Sequence, residues 1–128
     1  MPIHIADIHA LLWYLADSPR LSPAAKQAFD QAKAGQATVV VPAIVLAELI
    51  WTILKGRIAV ELRQVLVTVQ KHYSITPLKP SDVLKLPVLS SVPEMHDRLI
   101  VAEALRRHAN LITKDEAITE SGLVSVIW

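Results

Sequence analysis

Four carboxylates in this 128-residue chain stand where a carboxylate needs a reason to be. Glu48 lies in IVLAELIW, a segment with no other charge. Its neighbours one helical turn away are Ile44, Val45, Trp51 and Thr52, a mostly apolar stripe. Burying a lone carboxylate is costly unless it is paired or bound to a metal. Asp7 follows the apolar, β-branched Ile3 and Ile5, at the point where the pattern changes to helical spacing through Leu11, Leu12 and Leu15. That is the carboxyl end of a strand, where ligands bind in open parallel α/β sheets. Asp115 follows the strand-like NLIT in the same way. Asp97 opens a helix and heads its apolar stripe, Ile100, Val101, Ala104 and Leu105. Three of the four also have a plainer reading. Glu48 can lie on the exposed side of an amphipathic helix. Asp97 and Asp115 can be helix-cap or first-turn residues favoured by the helix dipole. If the four converge, hard oxygen ligands with no His or Cys cluster fit Mg²⁺ or Mn²⁺ rather than Zn²⁺. Two such ions about 3.5–4 Å apart are the usual arrangement for phosphodiester hydrolysis.

The elements that must position these groups alternate. A strand runs into Asp7, and a helix continues through Leu15. Ser22-Pro23 reads as the cap and first residue of a second helix, closed at Gly35. Thr38–Val41 is a strand, Ile44–Leu54 an apolar helix stopped by Gly56, and Ile58–His72 a third long helix. Ser74–Leu78 reads as a strand. A proline-punctuated stretch follows, with a short helix from Ser81. Asp97–His108 is again helical, Asn110–Thr113 a strand, and Val124–Trp128 a closing strand. Strands alternating with helices predict a parallel sheet with helices on both faces. Right-handed crossovers make that a three-layer α/β sandwich.

Composition narrows the class. The length predicts one domain over residues 1–128. Hydrophobic residues make up 52% of the chain and mean hydropathy is +0.39. So apolar a chain has ample core material, and some of its surface is expected to meet a partner. No apolar run approaches 18 residues, which predicts no membrane span. The start lacks the pattern of a signal peptide, so the cytoplasm is the expected compartment. There is no Cys, which excludes disulfides and thiolate metal sites. Net charge is +1. If four of the 12 acids serve one cleft, 13 basic residues face the eight others, a balance of +5 that suits a polyanion.

The stretches ADIHALLWYL, VPAIVLAELIW, HDRLIVAEAL and LITKDEAI, closed by VSVIW, resemble the PIN-domain family. More closely they resemble VapC-type toxin ribonucleases of bacterial toxin–antitoxin pairs. The resemblance runs nearly end to end. It implies that Asp7, Glu48, Asp97 and Asp115 are metal-binding, catalytic acids. It also implies that Thr113 is the hydroxyl residue that helps hold water or metal beside the last acid. It implies a PIN-like sandwich and cleavage of single-stranded RNA with Mg²⁺ or Mn²⁺. Its partners would be a cognate antitoxin lying across the cleft and a second copy in a homodimer. Two positions depart from the pattern. Ile8 stands where relatives often carry Thr, and His96 stands where close relatives often carry an aromatic residue.

His96, Arg98 and Lys114 are candidates for contact with RNA, against plainer roles at a helix start or on an exposed face. His9 reads as packing or capping. Trp13, Trp51 and Trp128 show no stacking platform in the sequence, and Trp51 and Trp128 read as core or dimer interface. Helices 42–54 and 58–72 are the expected partner contacts. Other α/β classes fit less well. A receiver domain wants adjacent acids after the first strand, and a phosphatase with an Asp nucleophile wants a second Asp where His9 stands. Three glycines form no phosphate loop. The serious rival is a PIN fold that binds RNA or protein without cutting.

Overall fold

A computed structural model describes residues 1–128 and shows five parallel strands in the order β3-β2-β1-β4-β5. They are β1 (Ile3–Ala6), β2 (Thr38–Pro42), β3 (Ser74–Thr76), β4 (Asn110–Ile112) and β5 (Val126–Ile127). In register, β1 pairs Ile5 with Val40 on one side and with Leu111 on the other. Strands covered on both faces read as near-continuous apolar runs. Accordingly Ile5, Ala6, Val39, Val40, Val41, Leu111 and Ile112 are all buried. The chain steps from β1 to β2 to β3 in one direction, then returns across the sheet to β4 and β5. Right-handed crossovers therefore put the two sets of helices on opposite faces. The expected α/β sandwich is present, and β1 and β4 flank the place where the winding reverses.

On the first face lie α1 (Ile8–Leu15), α2 (Pro23–Lys33), α3 (Ala43–Leu54) and α4 (Leu62–His72). Ser22 caps α2 by accepting the Ala25 N–H at 3.1 Å, with Pro23 in the first turn. Gly35 and Gly56, at φ +74° and +69°, take the left-handed turns after α2 and α3. The expected helix 58–72 starts later, at Leu62. Glu61 caps it by accepting the N–H groups of Arg63 and Gln64, each at 3.1 Å. Ile58 and Val60 instead pack as partly buried side chains against the core. β3 and β5 are shorter than expected because the ladder to each neighbour ends after three and two residue pairs.

The return crossing carries α5 (Pro80–Val83) and α6 (Met95–Arg107), and α7 (Glu116–Ser121) follows β4. α6 buries Leu99–Ala104 continuously and packs on β1 and β4. Three ionic or polar clamps fix it. Arg106 makes two 3.1 Å bonds to Asp82, which is 1% exposed. Glu103, also buried, accepts from Thr76 of β3 at 2.7 Å and from Arg107 at 2.9 Å. Arg98 donates to the carbonyls of Val92 and Leu86. None of the helices is long and apolar enough to cross a membrane.

Candidate functional site

Beyond the carboxyl ends of β1 and β4 the fold leaves a cavity of about 600 Å³. Such a crevice, where strand order reverses, is the general ligand position of open α/β sheets. Asp7, Glu48, Asp97 and Asp115 all line it, together with Glu94 and Glu116. Lys114, Arg20, His9 and His96 supply the basic groups of its wall, and Trp13 the one aromatic carbocycle.

Asp7 leaves β1 with its N–H still on the Ile112 carbonyl at 3.1 Å, so the ladder to β4 fixes its backbone. It then caps α1. Its Oδ1 accepts the Ile8 N–H at 2.6 Å, and its Oδ2 accepts the Thr113 hydroxyl at 2.6 Å. Thr113 is fully buried, beneath the cavity rather than in its wall. Its oxygen also accepts the Asp115 N–H at 3.1 Å. Its one proton is therefore committed to Asp7, and the hydroxyl ties the acids of β1 and β4 together. Asp115 in turn caps α7 by accepting the Ile118 N–H at 2.9 Å. The expected cap role and the expected place in the cleft coexist in this residue.

Asp97 does not open its helix. α6 begins two residues earlier, capped by Glu94, whose Oε2 accepts the Asp97 N–H at 2.9 Å. Glu94 Oε1 also lies 2.8 Å from His96 Nδ1, and Glu48 Oε1 lies 3.9 Å from the same nitrogen. His96 thus sits between two carboxylates at the cavity wall. The sequence reading missed Glu94. The spacing of an acid three residues before Asp97, directly after Pro93, was the available signal.

The electrostatics follow from crowding. Burial, and then the charges of Asp7, Asp115, Glu94 and Glu48, push the Asp97 carboxyl up to about 7. Burial also raises Asp7, against the hydrogen bonds from Thr113 and Ile8 that favour its charged form. Burial raises Glu48, with the His96 charge opposing it. At Glu94 burial acts upward too, but bonds from the Asp97 and His96 N–H groups outweigh it and hold the group low.

The sequence-derived substrate contacts divide. His96 and Lys114 line the cavity. Arg98 does not. Its guanidinium is engaged by the Val92 and Leu86 carbonyls, where it ties the loop before α6 to the helix that carries Asp97. The structure thus places Arg98, expected as a phosphate contact, outside the cavity lining. Trp51 is 61% exposed and so is no core residue. Trp128 is partly buried against Trp13, with ring centres 5.8 Å apart.

The donor set is all oxygen apart from His9 and His96, which suits a hard divalent ion. As the side chains stand, no three acidic or His groups close on one point for an ion to share.

Comparison with known proteins places these observations. The family model described as PIN domain matches residues 5–121. No curated protein matches significantly. Among solved structures, VapBC2 from Rickettsia felis, crystallised with a DNA fragment from its promoter, is similar with a TM-score of 0.74 and 16% identity. That match covers 97% of this chain and 96% of the other. PAE2754 from Pyrobaculum aerophilum gives 0.65 at 15% identity, over 98% and 83% of the two chains. FitAcB from Neisseria gonorrhoeae gives 0.64 at 15%, over 96% and 95%. At these identities the likeness speaks for the fold.

Proposed function

The chain belongs to the PIN domain family, and from that premise we propose that it is a metal-dependent endoribonuclease, the toxin of a toxin–antitoxin pair. One observation carries the reading. Four separate elements deliver Asp7, Glu48, Asp97 and Asp115 to one cavity, where burial first and the neighbouring acids second raise the Asp97 carboxyl to about 7. Stored carboxylate repulsion of that kind is what a divalent cation relieves.

These four acids would hold Mg²⁺ or Mn²⁺, which supplies an activated water and stabilises the leaving oxygen when bound. The chain's own groups do the remainder. Thr113 fixes the Asp7 oxygens against β4. Glu94 fixes the backbone of Asp97 and the His96 ring. Asp97, its carboxyl raised to about 7, would give up its proton when these acids take a cation. Lys114 and Arg20 offset the acids and offer positive charge to the phosphates of a strand. The substrate class is single-stranded or looped RNA. The toxin role, the cognate antitoxin, the homodimer and the cytoplasmic setting rest on the motif resemblance to VapC-type toxins. A fold shared with VapBC2 supports them.

The direct test is cleavage of a mixed RNA pool with Mn²⁺ or Mg²⁺ against EDTA, beside the Asp97→Asn variant. Metal-dependent cutting lost in the variant is the expected result. That no three of these groups close on one point favours a second reading, a PIN module that binds without cutting. Calorimetric titration with Mn²⁺ distinguishes the two, because only the nuclease site takes up the ion at these acids. Failure of wild-type protein to bind Mn²⁺ would overturn the proposal.

A further inference from the structure

Trp13 lines the cavity as its one aromatic carbocycle and has no part in the proposed reaction. It sits on α1, six residues beyond Asp7, roughly 9 Å along the helix. Its indole lines the same cavity as the four acids and is only partly buried. Two exposed cations stand near it, with the Arg20 guanidinium 6.0 Å and the Lys114 ammonium 5.6 Å from the ring centre. These are outer-limit cation–π distances, so either long side chain can swing away at small cost. His9 at 5.7 Å and Trp128 at 5.8 Å are tilted against the ring and prop it from α1 and the end of β5. The result is an aromatic surface with two mobile cations, opening on an acidic pocket.

We propose that Trp13 is a stacking platform for an unpaired nucleobase next to the scissile phosphate, with Arg20 and Lys114 taking the flanking phosphates. The inference deepens the nuclease reading and rests on it. An acidic pocket alone repels RNA, so substrate affinity has to come from groups outside the acids. A flat π surface takes any base, and flanking cations take the backbone. A base held in a duplex is already stacked and paired. The platform therefore selects single strands or loops by shape rather than by sequence.

The test is binding of a fluorescein-labelled ten-nucleotide single-stranded RNA and of the same sequence as a duplex, by anisotropy. Ca²⁺ replaces Mg²⁺ so that the acids are screened while cleavage is slowed. Wild-type protein should prefer the single strand. Trp13→Leu should weaken single-strand binding about tenfold to a hundredfold and leave duplex binding unchanged. Trp13→Phe should keep most of the affinity, which separates stacking from damage to the fold. Arg20→Ala should weaken both ligands and lower the salt slope of binding by about 1. Single-strand binding unchanged in Trp13→Leu, or reduced equally for both ligands, would overturn the platform. So would a wild type with no preference for the single strand. Protein that shows the expected pattern yet cuts no RNA with Mn²⁺ would end the nuclease reading and leave the platform standing. Cutting that survives in a Trp13→Leu variant of unchanged affinity would do the reverse.

Discussion

Asp97 concentrates the electrostatic tension of the molecule. Its folded-state pKa is raised to about 7 from an ordinary 3.8, by burial first and then by four neighbouring acids. The folded protein therefore holds this proton more tightly than the unfolded chain does. The associated stability is fully present below about pH 4 and is lost as the pH rises through about 7. Metal-free protein should melt at a higher temperature near pH 5 than near pH 7.5, and Asp97→Asn should narrow that gap in a calorimetric pH series. A variant that keeps the whole gap would place its origin elsewhere. His4 works the other way. Burial holds its ring below 6.5, so its contribution fades as the pH falls. Thr113 offers a second test at this scale. Thr113→Val leaves a buried Asp7 oxygen and the Asp115 N–H without their partner. Removing a group that orients metal ligands typically costs 10- to 100-fold. Mn²⁺ affinity and kcat should fall by about that much, and Thr113→Ser should restore most of the loss.

At the scale of elements, α6 is the part under most constraint, because it must bury its middle and still present Asp97 at one end. Its far end is held by the Arg106–Asp82 pair. Breaking a buried ion pair from one side leaves an uncompensated charge and costs about 3 kcal/mol. Arg106→Ala should lose about that much in urea unfolding, and Arg106→Ala with Asp82→Leu should recover part of it. Smaller losses in the double than in the single variant are the signature to look for. These contacts also mark what was legible in advance. β1, β2 and β4 announce themselves because a strand covered on both faces is an apolar run. Glu48 and Asp97 stand out because a charge breaks or heads such a pattern. Glu94 gives no such contrast, lying between Pro93 and the exposed Met95, and its spacing from Asp97 gains meaning only once the cap geometry is seen. Arg98 adjoins Asp97 in sequence, yet its direction is set by carbonyls 6 and 12 residues away. The setting of Trp13 depends on Arg20, Lys114 and Trp128, which come together only in the folded chain. The late start of α4 reflects a single cap at Glu61, a local competition that apolar periodicity does not register.

For the molecule as a whole, a metal held at these acids, as proposed, would be part of the folding free energy. An ion that binds only the folded state stabilises by mass action, about 2.7 kcal/mol at a hundredfold excess over its dissociation constant. Mn²⁺ should raise the melting temperature of the wild type, and EDTA should reverse it. Asp7→Asn should blunt the response while leaving circular dichroism unchanged. The same architecture also sets a clock. The Thr113–Asp7 bond and the Asn110–His4 contact each join residues 106 positions apart, and the central strand β1 acquires β4 only from the last fifth of the chain. During synthesis, the cleft therefore cannot close before β4 and Thr113 have left the ribosome. A chain ending at Ala109 would carry Asp7, Glu48 and Asp97 but neither β4 nor Asp115, and should be protease-sensitive and inert. On the proposed reading, a nascent copy stays inactive until β4 and Asp115 have joined Asp7.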